Sequence, residues 1–306
     1  GVTGSDPGYA GRRNQQDHVC TSRVTGGHIN GNCWWTVFHL SHCEPERETR
    51  NLSVQTKNCE FSIGDTHLVS GVSLSVTNGE VVSLIGANGA GKSSLLKLIS
   101  GEYTATRGNV FLDGEIIADI DLDRRARKLA VLPQRSMLDF PFLVHEVIEM
   151  GRYPQMTGIQ TDRKVTSEVV ARLGLDDLSN RVYTTLSGGE RQRVQIARVL
   201  AQLWEQPETA NYLFDEPTAP LDLAHQLEFF EHMRSLAEKG STILLVVHDI
   251  NLAARFSDRL ILLKDGKLIA DGVPEGVITI ENMKLVFNVD VNILTSNPNQ
   301  AVQITY

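Results

Sequence analysis
The chain has 306 residues, enough for one large domain or two modest ones around a real buried core. Hydrophobic residues make up 41% and charged residues 22%, ordinary values for a globular protein, and the net charge of -8 argues against a nucleic-acid partner held by a broad basic surface. No apolar run reaches the ~18–20 residues that a membrane-spanning helix needs. No charged flank followed by an apolar stretch opens the sequence, so a membrane role is expected to come through a partner.

Residues 1–50 hold Gly, Asn, Arg and His without a sustained period, apart from the brief apolar run Cys33–Leu40. The first methionine is Met137, and the segment reads as a flexible leader or as sequence translated upstream of the true start. It carries His18, Cys20, His28, Cys33, His39, His42 and Cys43, soft and imidazole ligands but without a C-x-x-C spacing. Incidental composition is weighed above a metal or haem site there. With Cys59 these are all four cysteines of the chain, a usage that fits a cytoplasmic protein.

From Asn51 the pattern becomes regular. Short β-like runs are expected at Leu52–Gln55 and Glu60–Ile63, and Leu68–Val76 alternates as a half-buried strand. Val81–Ile85 is a continuous apolar run of the buried-strand type, followed by glycine-rich sequence and a helix from Lys92 to Ser100. Helices are predicted at Val144–Gly151, Asp162–Leu173 and Gly189–Leu203, and strands return at Tyr212–Phe214 and Thr242–Val247 around a helix over Leu223–Ala237. Arg259–Leu263 and Lys267–Ala270 read as a hairpin about Asp265-Gly266. This alternation predicts an α/β core with a helical insertion, and no internal repeat is present.

Gly86-Ala87-Asn88-Gly89-Ala90-Gly91-Lys92-Ser93 matches G-x-x-x-x-G-K-[ST] between a strand and a helix. Glycines let backbone amides point inward at phosphate oxygens, and the helix N-terminus adds its positive end. Lys92 is expected on the β- and γ-phosphates and the Ser93 hydroxyl on Mg²⁺, with Ser94 beside them. Asp215 ends an apolar strand and is expected to hold the metal, and Glu216 to polarise the attacking water. The bland alternative is a solvated acidic strand end, and Asn211 is an odd polar start for such a strand. His248 follows the buried run Ile243–Val247 and suits a contact with the γ-phosphate, although a lone histidine after a strand is more often structural.

Leu186-Ser187-Gly188-Gly189-Glu190 places small residues and a serine before a helix, a second anion-binding N-terminus. With this element the sequence resembles the ABC transporter ATPase family from about residue 51 to near its end. The resemblance implies a P-loop NTPase (RecA-like) core with an antiparallel β subdomain and a helical subdomain over about 135–205. It implies that Ser187, Gly188 and Gly189 cap the γ-phosphate held by a second copy, so that two ATP molecules are sandwiched in a homodimer. It also implies that Gln134 touches the metal and senses the permease, and that Asp222 lies in the loop crossing the dimer interface. The implied partners are an integral-membrane permease dimer and, indirectly, a substrate-binding protein, with the chain peripheral to the cytoplasmic face of the cell membrane.

Within that family, Ser136–Phe142 with Val147 and Gly151–Pro154, Ala197–Trp204, Leu221–Gln226 and His248–Arg255 look like the haemin-import subunits of the vitamin B12/siderophore class. Siderophore and cobalamin ATPases share much of this pattern. Three departures stand out, the leader itself being one. Ile63 occupies the place of the usual adenine-stacking aromatic, with Phe61 two residues earlier, and Ala219-Pro220 replaces a serine-alanine pair before Leu221-Asp222. A soluble ABC protein acting on ribosomes or DNA would be expected to show tandem domains or basic extensions. A pure nucleotide-binding regulator would have no use for Glu216 and His248.

Overall fold
The computed structural model describes residues 52–134, 138–294 and 302–305. The leader with its cysteines and histidines, and Ser136 and Met137, fall outside them. The two runs expected before residue 64 are one strand, β1 (Leu52–Ile63), paired antiparallel with β2 (Thr66–Thr77). Polar Lys57-Asn58 interrupts the alternation because Asn58 adopts a left-handed backbone, φ 46°, where the register shifts. Such a bulge bends a strand without ending it. β3 (Val81–Gly86) is buried at every position and leads into α1 (Lys92–Ile99).

Between residues 101 and 134, where the sequence shows no clear pattern, lie β4 (Arg107–Leu112), β5 (Glu115–Ile116), the short α2 (Leu122–Ala126) and β6 (Leu129–Leu132). β4 completes an antiparallel sheet of order β2-β1-β4-β5.

The helical insertion comprises α3 (Val144–Glu149), 3-10 turns over Met150–Gln155, α4 (Ile159–Arg172) and α5 (Gly188–Leu203). The helix expected to reach Gly151 stops at Glu149. At Gly151 the backbone presses on α5 so closely that a Cβ would lie 2.1 Å from the Arg198 carbonyl oxygen, and Pro154 follows. Buried Arg152 fastens the turns, donating to the Ala201 carbonyl (2.8 Å) and pairing with Asp162 (3.2 Å) and Glu205 (2.5 Å).

The chain then returns through β7 (Asn211–Asp215), α6 (Leu223–Glu238), β8 (Thr242–Val246), α7 (Ile250–Phe256), β9 (Arg259–Lys264) and β10 (Lys267–Gly272). The expected hairpin is present, its turn formed by Asp265 and Gly266 at φ 47° and 73°. α8 (Pro274–Val277), α9 (Ile280–Phe287) and a small ladder of β11 (Asn292–Leu294) with β12 (Gln303–Thr305) follow. The main sheet has the order β10-β9-β3-β8-β7-β6 and is parallel except for its β10 edge.

Alternate residues of these strands feed two cores. Val82, Leu84, Leu213, Leu244, Val246 and Ile261 pack with residues of the antiparallel sheet and α1. Val81, Ile85, Tyr212, Phe214, Ile243 and Leu245 pack with Phe229, Phe230 and Met233 of α6. A third cluster fills the helical insertion. α5 serves two of them, with Val194, Ala197 and Ala201 on the insertion side and Ile196, Val199, Leu200 and Leu203 on the sheet side. The odd polar start of β7 also has a cause. The buried Asn211 amide donates to the Lys128 carbonyl (3.1 Å) and accepts from the Ser53 hydroxyl, joining the two sheets.

Candidate functional site
Four neighbouring parallel strands, β3, β8, β7 and β6, deliver the predicted residues to one edge of the sheet. β3 runs into the loop Gly86–Ser93, β8 ends just before His248, β7 ends on Asp215-Glu216, and β6 ends just before Gln134. Carboxyl ends of parallel strands are where open α/β sheets bind ligands, because the chain leaves the hydrogen-bonded ladder there.

In the loop, Gly86, Gly89 and Gly91 all have left-handed φ values (154°, 79° and 96°), and Gly91 is the N-cap of α1. Asn88 and Gly89 are exposed, whereas Ala90 is buried and its carbonyl accepts from Gly266 (3.0 Å), anchoring the loop to the β9–β10 turn. The buried Lys92 ammonium donates to the carbonyls of Gly86 (2.8 Å) and Ala87 (3.0 Å). Burial lowers its pKa, opposed by the nearby carboxylates of Glu216 and Asp215. Ser93 donates from its hydroxyl to Asp215 at 3.1 Å, and Ser94 is partly buried in the first turn of α1.

Asp215 is almost wholly buried, and that burial raises its carboxyl pKa, with the Ser93 hydrogen bond pulling the other way. A buried carboxylate bonded to a hydroxyl is a pair of hard oxygen donors of the kind Mg²⁺ takes. Ser93 and Asp215 therefore fit the ion, and Gln134 is tied to the adjacent residue Glu216.

Both oxygens of Glu216 are engaged. Oε1 lies 2.6 Å from His248 Nε2, and Oε2 accepts from Gln134 Nε2 at 3.0 Å. Glu216 also holds a left-handed backbone, φ 53°. That conformation costs a non-glycine residue about 1–3 kcal/mol and clusters at functional sites. Its amide donates to the Val246 carbonyl of β8 (3.2 Å), next to the strand end that bears His248.

Ser187 and Glu190 form a capping box at the start of α5, with the Ser187 amide donating to the Glu190 carboxylate at 2.7 Å. That bond heads the causes that hold the Glu190 pKa low. Ser187 and Gly188 are exposed at this tip, and Gly189 sits against the Pro220 carbonyl, where a Cβ would lie at 3.2 Å. Among the described residues, no hydrogen bond joins residues 187–189 to the phosphate loop of the same chain. Asp222 caps α6, accepting from the His225 amide (3.0 Å) and bonding its ring Nδ1 (2.8 Å). Phe61 is stacked on Tyr103 with ring centroids 4.5 Å apart, while Ile63 is exposed. Sequence reasoning missed the amides of Gln192 and Gln226. They donate to the carbonyls of Pro217 (2.8 Å), and of Thr218 (3.2 Å) and Leu221 (2.9 Å).

The ABC transporter family profile matches residues 69–219. A hemin import ATP-binding protein of Gloeobacter violaceus is 48% identical over 231 residues, covering 74% of this chain and 84% of that protein. The chain belongs to the ABC transporter ATPases. A hemin import ATP-binding protein of Pseudomonas putida is 45% identical over 238 residues, covering 78% of this chain and 93% of that protein. The fold matches a dimeric bacterial ABC transporter cassette at TM-score 0.65 and 30% identity, covering 72% of this chain and 98% of the cassette. As an ABC transporter ATPase the chain is an ATP hydrolase of the P-loop type, from a family whose cassettes bind nucleotide, dimerise and power membrane permeases. No helix among the described residues is long and apolar enough to cross a membrane.

Proposed function
We propose that the transporter energised by this ATPase imports haem. Relatives 38–48% identical carry the hemin import name. Residues 51–306 are then the nucleotide-binding domain, with 135–205 as its helical subdomain. It sits on the cytoplasmic face of the cell membrane against a permease dimer, which a substrate-binding protein supplies from the other side.

The catalytic reading is carried by the convergence of the phosphate loop, Asp215-Glu216, His248 and Gln134 at four adjacent strand ends. Gly86, Asn88, Gly89, Ala90, Gly91 and Ser94 shape the loop around the phosphates. Lys92 exchanges its two carbonyl partners for β- and γ-phosphate oxygens. Ser93, Asp215 and Gln134 would hold Mg²⁺, which would supply neutralisation of the charge on those oxygens. His248 turns from Glu216 to the γ-phosphate, which frees Oε1 to accept a proton from the attacking water. Ser187, Gly188 and Gly189 of a second copy close over the γ-phosphate, and Asp222 lies at that seam. Closure of the two copies drives the permease, and phosphate release reopens them. The protein adds positioning and electrostatic stabilisation, and ATP carries the reactive bond.

Two measurements test this. Glu216→Gln should keep ATP binding, lose most turnover and accumulate the closed dimer, and wild-type turnover would overturn the assignment of the base. With the reconstituted permease, haem-loaded binding protein should stimulate hydrolysis. Stimulation by siderophore-loaded or cobalamin-loaded protein alone would overturn the cargo.

A further inference from the structure
The segment from Glu216 to Asp222 has little regular structure, yet its backbone is closely held. Ala219 donates to the Glu216 carbonyl (3.4 Å) and Leu221 to that of Thr218 (3.0 Å). Side chains from two different helices add three further bonds to the segment's carbonyls. Gln226 of α6 reaches Thr218 and Leu221, and Gln192 of α5 reaches the carbonyl of Pro217, the residue directly after the base. A glutamate in the left-handed region stays there only when its surroundings enforce it. Here the enforcement includes a donor on the helix whose tip is Ser187–Gly189. Only four residues lie between Ser187 and Gln192 along α5, and that helix is packed on both sides, so a displacement of the tip is carried to Gln192. The tip also touches the far end of the same segment through Gly189 and the Pro220 carbonyl.

We infer that Gln192 is a positioning residue that couples the two nucleotide sites of the dimer. When Ser187–Gly189 of one copy seizes the nucleotide of its mate, α5 moves and the Gln192–Pro217 hydrogen bond sets the orientation of that copy's own Glu216. Each site is thereby told whether the other is filled. This rests on the sandwich of two copies proposed above.

The test uses the full chain and compares Gln192→Glu, which keeps the shape but loses the donor, with Gln192→Met and with Gln226→Glu. Steady-state hydrolysis is read against ATP concentration, with thermal unfolding and ATP-dependent dimerisation alongside. Both Gln192 variants should lose about tenfold in kcat, the scale of one positioning hydrogen bond. Their Hill coefficient should fall to about 1 while dimerisation and melting temperature stay near wild type. Gln226→Glu, which disturbs the segment from α6, should lower kcat and keep the cooperativity. If the Gln192 variants keep the wild-type Hill coefficient, whatever happens to kcat, the coupling role is overturned and the sandwich stands. Absence of both cooperativity and ATP-driven dimerisation in the wild type would overturn the sandwich and this inference with it. If Gln192→Glu does not fold, Gln192→Met alone decides.

Discussion

Two glycines of the phosphate loop offer a matched pair of perturbations. Gly89 and Gly91 have similar positive φ values, 79° and 96°, but different surroundings. A Cβ at Gly89 meets nothing within 4 Å, whereas one at Gly91 falls 2.4 Å from the Leu68 carbonyl oxygen and 3.3 Å from the Gly266 Cα. Both obstacles are backbone, one in β2 and one in the β9–β10 turn, so neither can swing aside. Gly89→Ala therefore carries only the left-handed penalty, about 1 kcal/mol, or roughly fivefold in ATP affinity if the loop relaxes to avoid it. Gly91→Ala adds a steric overlap that costs about 1–3 kcal/mol and is relieved only by moving the loop amides off the phosphates. A combined loss near 3 kcal/mol corresponds to more than about a hundredfold. Calorimetric titration with Mg·ATP in a Glu216→Gln background measures binding without turnover. Equal losses in the two variants, or a Gly91→Ala affinity within fivefold of the parent, would refute the argument from close packing.

Arg152→Met should lower stability by about 3 kcal/mol, since it strands the Ala201 carbonyl and uncouples Asp162 and Glu205 from their cation. In a domain of this size that is a fall of roughly 6–12 °C in melting temperature, and a shift under about 2 °C would defeat it. Burial, helped by the nearby Arg172 charge, lowers the His232 pKa below the ordinary 6.5. The unfolded chain then binds that proton more readily, so stability should fall as pH drops below 6.5. His232→Gln should flatten that part of the denaturation profile between neutral and mildly acidic pH, and identical slopes would contradict the linkage. Ile63→Tyr should tighten ATP binding about fivefold to tenfold and sharpen its preference over GTP, because Phe61 is already engaged by Tyr103. Unchanged affinity and selectivity would discard the stacking argument.

The convergence of the proposed nucleotide-site residues was legible in sequence because each part has a local cause. Glycines wrap a loop, a helix starts at Lys92, and Asp215 and His248 follow buried apolar runs. What escaped has causes distant in the chain. β6 is only Leu129–Leu132, too short to show a period, and it becomes a strand by pairing with β7. β4 opens with Arg107-Gly108-Asn109, a turn-like composition that pairing with β1 overrides. Asn211 looks misplaced until its partner Ser53, 158 residues away, is brought beside it. Gln192 and Gln226 resemble any other helical glutamines, because nothing in a glutamine says which carbonyl it will meet. The chain over Met150–Gln155 leaves the α-helix for a contact with α5 that no window of sequence contains.

The bond between Ser53 and Asn211 has a practical side. Ser53 is the second residue of β1, so a shortened clone beginning only a few codons downstream would discard it while leaving every nucleotide-binding segment intact. The amide oxygen of Asn211, sealed from water at the foot of a central strand, would then have lost its hydroxyl donor, at about 1–3 kcal/mol. A truncation of this protein that takes Ser53 is therefore expected to be damaging although it touches no phosphate-loop or strand-end residue.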